Sequence, residues 1–283
     1  MVPLCTVRAM AGTADLDSAM ATAGEPISEE EALQRLRQSE DQSHQYYAAW
    51  WLGRMRSRHP ETVPLLQAAL RRRQPRTVSS GVEENAVARN AARALGKLGD
   101  PQAIPDLLAT LEDEDDGLRE AAARALGELR AREAVSPICA RLARDQAGQP
   151  LPNSLRLREP CEALIEALGD IGVATPDVVD AIQPFAIHER PLIRSAAARA
   201  LFQLTQDPRW GHSLIELLEH PQLQVRRSAL MDLGAVGWRP ALEPIRDTLA
   251  ENSLKLIALR GLVERGQAPP DTETVLRAMD DLL

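Results

Sequence analysis

RNAARALGKLG, residues 89–99, sets alanines and a leucine three and four residues apart and closes on glycine. At 100° per residue, the alanines three and four before Leu95 fall within about 60° of its direction, whereas Arg93, two before it, points about 160° away. That is a helix with one apolar face. The phrase returns as YYAAWWLGRM (46–55), EAAARALGEL (120–129), EALIEALGDIG (162–172), SAAARALFQL (195–204), RSALMDLGAVG (227–237) and LIALRGLVERG (256–266). Aligned on the shared residue, the copies sit at Leu52, Leu95, Leu126, Leu168, Leu201, Leu233 and Leu262, with steps of 43, 31, 42, 33, 32 and 29 residues.

A second helical pattern separates the copies, as in DPQAIPDLLATLED from Asp100, AREAVSPICARLAR from Ala131 and TPDVVDAIQPFAIH from Thr175. A proline just inside a helix start removes an N–H that has no partner there anyway. Each unit is therefore a helix pair of about 31 residues, too small to bury its own apolar faces. The predicted fold is all-α: an α-solenoid of HEAT-like helix pairs over residues 27–266, after a mobile tail at 1–26 and before a capping helix at 267–283. Two steps exceed the period by about a dozen residues. The excess falls at 72–85 and 145–157, both rich in Gly, Pro and Ser and expected to be loops on one edge.

Composition excludes several functions. A formal net charge of −8 argues against nucleic acid as partner, because the basic run at 71–76 is balanced by the acidic run at 112–116. No stretch approaches the roughly 18 apolar residues of a membrane span. Cys5, Cys139 and Cys161 have neither metal-ligand nor redox spacing and fit a reducing cytoplasm. Cys161 takes the core-facing place that Ala88 holds and reads as a buried structural thiol. His188 with Glu189 is a single pair, so no metal site is predicted.

Against this background, aromatics make up 3% of the chain, yet both tyrosines and two of the four tryptophans crowd into residues 46–51. The outward position two before the leucine reads Trp50, Arg93, Arg124, Glu166, Arg199, Met231 and Arg260. One before it stands Trp51, where the sister copies mostly carry small residues. Tyr47 lies five before and Arg54 two after. Either the first repeat is an atypical cap whose aromatics fold under a neighbouring segment, or Tyr46, Tyr47, Trp50, Trp51 and Arg54, with Arg89, Asn90, Arg93 and Arg124, form a binding surface on the inner curve. Arginine there suits carboxylates, and the aromatics suit a flat ligand or a protein anchor.

QYYAAWWLGRMR, the run RNAARALGKLGDPQAIPDLLATLEDEDDGLREAAARALGEL, AAARALFQLTQDP and ENSLKLIALRGL together resemble the E subunit of the heterodimeric E/F-type phycobilin lyases, over about residues 27–266. The resemblance implies a homologous F-type partner. It also implies attachment of phycocyanobilin, or a related bilin, through a thioether to a cysteine of the phycocyanin α subunit, with no permanently bound cofactor. The nucleophile belongs to the acceptor, so the expected contribution is positioning: aromatic walls stacking on pyrrole rings, arginines on the propionates, and an acid such as Glu120 or Glu166 on the pyrrole N–H groups. The alternative is a non-catalytic scaffold or chaperone in phycobiliprotein maturation, the default role of a repeat protein.

Overall fold

The computed structural model describes residues 27–38, 41–74, 85–144, 147–152, 154, 156–265 and 272–283. The expected tail at 1–26, Cys5, and most of the expected loop at 72–85 lie outside the described residues. Among those described the chain forms fifteen α-helices and no β-strand. The phrase helices are α2 (Gln42–Arg54), α4 (Ala86–Leu98), α6 (Asp116–Glu128), α8 (Cys161–Ile171), α10 (Pro191–Thr205), α12 (Leu223–Val236) and α14 (Asn252–Arg265). Their partners are α1 (Glu29–Arg37), α3 (Thr62–Arg71), α5 (Ile104–Thr110), α7 (Val135–Leu142), α9 (Pro176–Ile182), α11 (Pro208–Leu217) and α13 (Leu242–Asp247). A terminal helix, α15 (Thr272–Asp280), packs on α14 through buried Val275.

The helices start and stop where the sequence supplies partners for their unpaired backbone groups. Asp41 accepts from Ser43 and His44 N–H to open α2, and Asp115 accepts from Gly117 and Leu118 N–H to open α6. Gly99 and Gly172 end α4 and α8 at φ +75°, a left-handed conformation that disfavours a side chain.

Each phrase helix packs against the next, so α2, α4, α6, α8, α10, α12 and α14 form one continuous row backed by their partners. All seven alignment leucines are at most 1% exposed, which places the shared residue in the core of every unit. At about 1.5–3 kcal/mol for each buried leucine, this recurrence is the main stabilising term that the repeat supplies.

A second regularity sets how closely the row stacks. The residue after each leucine meets the residue before the leucine of the next helix. A Cβ added to Gly53 would lie 2.7 Å from the Ala94 Cα, one on Gly96 2.7 Å from the Ala125 Cα, one on Gly127 3.0 Å from the Ala167 Cα, and one on Gly169 2.9 Å from the Ala200 Cα. Glycine against alanine thus lets the backbones approach to contact. The last pair repeats the pattern, with Gly261 set so closely on Gly234 that an added Cβ would meet its carbonyl oxygen.

Only the α10–α12 junction breaks it, because Phe202 replaces the glycine and Asp232 the alanine. The apolar interior divides there, one cluster running from Ile27 to Leu204 and a second from Ala198 to Ala278. Phe202 packs on Trp238 with ring centroids 5.9 Å apart, and Trp238 meets His212 edge-on at 4.8 Å. These rings fill the wedge.

Candidate functional site

A groove opens along the N-terminal halves of the phrase helices. Its larger section, about 690 Å³, runs from Arg89 and Arg93 on α4, past Glu120 and Arg124 on α6, to Glu162 on α8 and Val225 on α12. A smaller section of about 570 Å³ lies between Tyr46 on α2 and the same Arg89 and Arg93. The two share those arginines and lie side by side along the row of phrase helices.

From the expected insertion at 145–157, Arg156 and Leu157 become part of the wall. Leu151 N–H donates to the Arg156 carbonyl at 2.8 Å, closing a short hairpin that presents Arg156 and Leu157 to the groove. What anchors it is Glu159, whose buried carboxylate accepts from Arg119 Nε at 3.1 Å, Arg141 Nη1 at 2.9 Å and Arg144 Nη1 at 3.2 Å. Arg119 also donates to the carbonyls of Asp113, Glu114 and Arg158, so its guanidinium is well satisfied despite burial.

The nine residues singled out in the sequence go to different places. Tyr46, Tyr47 and Trp50 are 44%, 40% and 42% exposed, and the Tyr47 and Trp50 rings stack at 5.5 Å with 28° between planes. Arg93 is exposed and makes no ion pair among the described residues, while Arg89 stands 3.5 Å from Asp115. Arg124 lies in the floor. Tyr47 and Trp50 line neither section of the groove, and three others stand apart from it. Trp51 is half-buried against the main core, Asn90 is buried with Nδ2 donating to the Tyr46 carbonyl at 3.1 Å, and Arg54 lines a separate recess with Arg56, Lys97 and Glu128. Asn90 therefore holds the backbone that carries Tyr46.

The arginine row is less free than its outward angle suggests. Arg124 meets Glu120 at 3.3 Å, Glu162 at 3.8 Å and, most closely, Glu166. Arg199 meets Asp170 at 2.7 Å and Asp232 at 3.6 Å. Burial, and then the Glu166 charge, push the Glu162 carboxyl above the usual range. Cys161 is buried at the groove's edge, and burial pushes its thiol up to about 12, which leaves it protonated and unreactive. Sequence reasoning missed Arg156, Arg190 and Glu162 as groove residues. The insertion's position was the signal for the first, and for Glu162 it was the register six before the shared leucine, which Arg89 and Glu120 hold in their copies; Arg190 immediately precedes α10 and lies outside the repeated phrase.

Comparison with known proteins matches residues 80–149 and 161–234 to the HEAT repeats, and residues 45–72 and 225–251 to the PBS lyase HEAT-like repeat. The bilin biosynthesis protein RpcE of Synechococcus sp. (strain WH8020) is 54% identical over 260 residues, covering 91% of this chain and 96% of that one. The phycocyanobilin lyase subunit alpha of Synechocystis sp. (strain PCC 6803) is 45% identical over 265 residues, covering 90% and 96%. The chain belongs to the bilin lyase α-subunit family. A solved relative of that family, in the complex of CpcE and CpcF of phycocyanin lyase from Nostoc sp. PCC7120, superposes with a TM-score of 0.82 at 42% identity, covering 92% of this chain and 96% of its own. The all-α solenoid is what the repeat phrase predicted and the bilin lyase subunit is what the family resemblance implied; the groove lies on the row of helices that carries the phrase. Among the described residues, no helix is long and apolar enough to cross a membrane.

Proposed function

We propose that this lyase subunit, paired with an F-type subunit, holds a linear tetrapyrrole in the groove while a cysteine of the phycocyanin α subunit adds to it. The supporting observation is that the two groove sections share Arg89 and Arg93, with the exposed ring of Tyr46 at one end and acids along the floor. A linear tetrapyrrole is long, flat and doubly carboxylated, and needs aromatic or apolar faces along its length with cations for its arms.

The reaction adds S–H across the exocyclic double bond of ring A. The C–S bond forms, the carbon–carbon π bond breaks, the proton ends on the tetrapyrrole, and nothing is oxidised or expelled. The thiol comes from the acceptor, so no nucleophile is required of this chain, in keeping with the inert Cys161. The contribution that remains is orientation of the reacting carbon and exclusion of other thiols, which can lower a barrier by several kcal/mol.

Co-production with an F-type subunit, phycocyanobilin and the acceptor apoprotein tests this through covalent fluorescence on the acceptor. Arg93→Ala is expected to reduce attachment at least about tenfold, the loss of one charge-assisted contact, while the heterodimer still elutes intact. Undiminished attachment would remove Arg93 from the site. A second reading, that the exposed Tyr47–Trp50 pair seats the partner, rests on the exposure of those rings; it predicts that Trp50→Ala dissociates the heterodimer.

A further inference from the structure

The walls of the larger groove section belong to two different packing units. Cys161 and Ala163 on α8 are part of the apolar cluster that begins at Ile27. Val225, at the start of α12, is part of the second cluster, and Leu192, at the start of α10, packs against that second one. The two clusters divide at the α10–α12 junction, so the groove crosses the division. At every other junction of the row a glycine lies on an alanine or a glycine, and the backbones already touch. Here Phe202 and Asp232 hold the helices apart, and the Phe202 and Trp238 rings meet at a tilt of 57°.

The same place holds polar groups that are only partly satisfied. Among the described residues, four buried side-chain nitrogens without a hydrogen-bond partner belong to elements that meet there: Arg199 Nε on α10, Trp210 Nε1 on α11, and Arg239 Nε and Nη2 just before α13. The two other such atoms, Arg141 Nε and the Gln203 Oε1 that faces Gly169, lie elsewhere. A buried donor left unpaired costs its desolvation, and a network satisfied in part gives one packing little advantage over a neighbouring one. A divided core beside such a network is where a structure yields first.

We infer that the α10–α12 junction is a hinge, and that the body beyond it, α12–α15, is a movable wall of the groove that swings out to admit the tetrapyrrole and closes on it once bound. This rests on the groove being the tetrapyrrole site proposed above. Ile193 and Val225 stand nine and seven residues before Phe202 and Asp232, so the groove lies about 10–13 Å along the helices from the contact. Over that arm a rotation of about 10° shifts the start of α12 by about 2 Å relative to α10. The moving wall presents Gln222, Gln224 and Val225, none of them charged, so its closure leaves the ion pairs of α6 and α8 in place. Closure of this kind shields the reacting carbon from water and from stray thiols.

Distances across the junction test this in the heterodimer with an F-type subunit. Spin labels are placed at Glu133→Cys and Glu264→Cys, exposed residues on either side of the junction, in a chain carrying Cys5→Ser and Cys139→Ser. Labels at Ala68→Cys and Glu133→Cys, both before the junction, are the control. The cross-junction pair is expected to show a distance distribution at least about twice as broad as the control, narrowing to the control's width when phycocyanobilin binds. A second variant locks the junction: Ser195→Cys with Asp232→Cys sets thiols where Ser195 Oγ donates to Asp232 at 2.5 Å. Followed by pigment absorption without acceptor, its oxidised form is expected to take up phycocyanobilin at least about tenfold more slowly than the same protein reduced, with wild type indifferent to the treatment. A cross-junction distribution as narrow as the control overturns the inference and leaves the groove assignment standing, as does equal uptake by the oxidised and reduced forms. A wild-type heterodimer that takes up no phycocyanobilin overturns both.

Discussion

The α4–α6 contact and the α10–α12 contact use the same register of the same repeat and reach opposite solutions. At the first, Gly96 lies against Ala125, and the helices meet backbone to backbone with the Glu128 carboxylate at the edge of the contact. At the second, the equivalent places hold Phe202 and Asp232. Asp232 is buried, accepts from Ser195 Oγ at 2.5 Å and faces Arg199 at 3.6 Å, while Phe202 and Trp238 fill the opened side. Both residues change together, as they must: phenylalanine facing alanine at that spacing would clash, and a buried aspartate without room for partners would be left unpaired. A solenoid thus stays continuous across a junction that its repeat phrase cannot make.

Bulk placed at the shared register separates the two contacts most sharply. Gly96→Leu drives a side chain into the Ala125 backbone, where no flexible end can yield, and is expected to cost more than about 4 kcal/mol, so that circular dichroism shows no cooperative transition. Phe202→Leu, at the same register in the wide junction, is expected to cost only about 1–1.5 kcal/mol by loss of ring contacts. Equal effects would show that the register does not decide packing.

The polar junction also has a pH signature that the apolar seams lack. Burial pushes the Asp232 carboxyl up to about 6, from 3.8 in the unfolded chain, although Arg199 and Ser195 pull against it. Between those values the folded state binds the extra proton, so stability falls as pH rises from about 4 to about 6, by up to about 3 kcal/mol. Asp232→Asn removes that titration. Urea denaturation is expected to find it near wild type at pH 4 and more stable than wild type at pH 7.5; a variant less stable at pH 7.5 would mean that the charge is held more favourably than its burial implies.

The comparison also marks what could be read without a structure. The shared leucine, the helix pairs and the capping residues follow from local period and chemistry, so the solenoid was legible residue by residue, down to Leu168 in a copy as divergent as EALIEALGDIG. Tyr47 and Trp50 were legible too, because an aromatic at an outward register contradicts its neighbours. The α10–α12 junction was visible only as two substitutions, Phe202 and Asp232, in consecutive copies. Recognising that they touch requires knowing that the residue after one leucine meets the residue before the next. The groove's charge pattern was less accessible still. Arg124 stood out as a candidate, but its three acid partners come from two helices about forty residues apart, and the wall at Arg156 depends on Glu159 being drawn inward by arginines of two separate segments.

The smallest effect distinguishes two reasons for glycine within one stretch. Gly96 and Gly99 are three residues apart at the end of α4. Gly96 is required by a neighbouring helix, whereas Gly99 adopts φ +75° and an added Cβ would meet nothing within 4 Å. Gly99→Ala therefore introduces backbone strain alone and is expected to cost about 1 kcal/mol. Gly96→Ala, with ordinary helical backbone, introduces overpacking alone and is expected to cost about 1–3 kcal/mol. Combining each with Ala125→Gly tells them apart: removing the opposing methyl should recover part of the Gly96→Ala loss and none of the Gly99→Ala loss, because only the first is a contact between helices. Recovery at Gly99 would place that residue in the seam and extend the stacking rule beyond the register of the shared leucine.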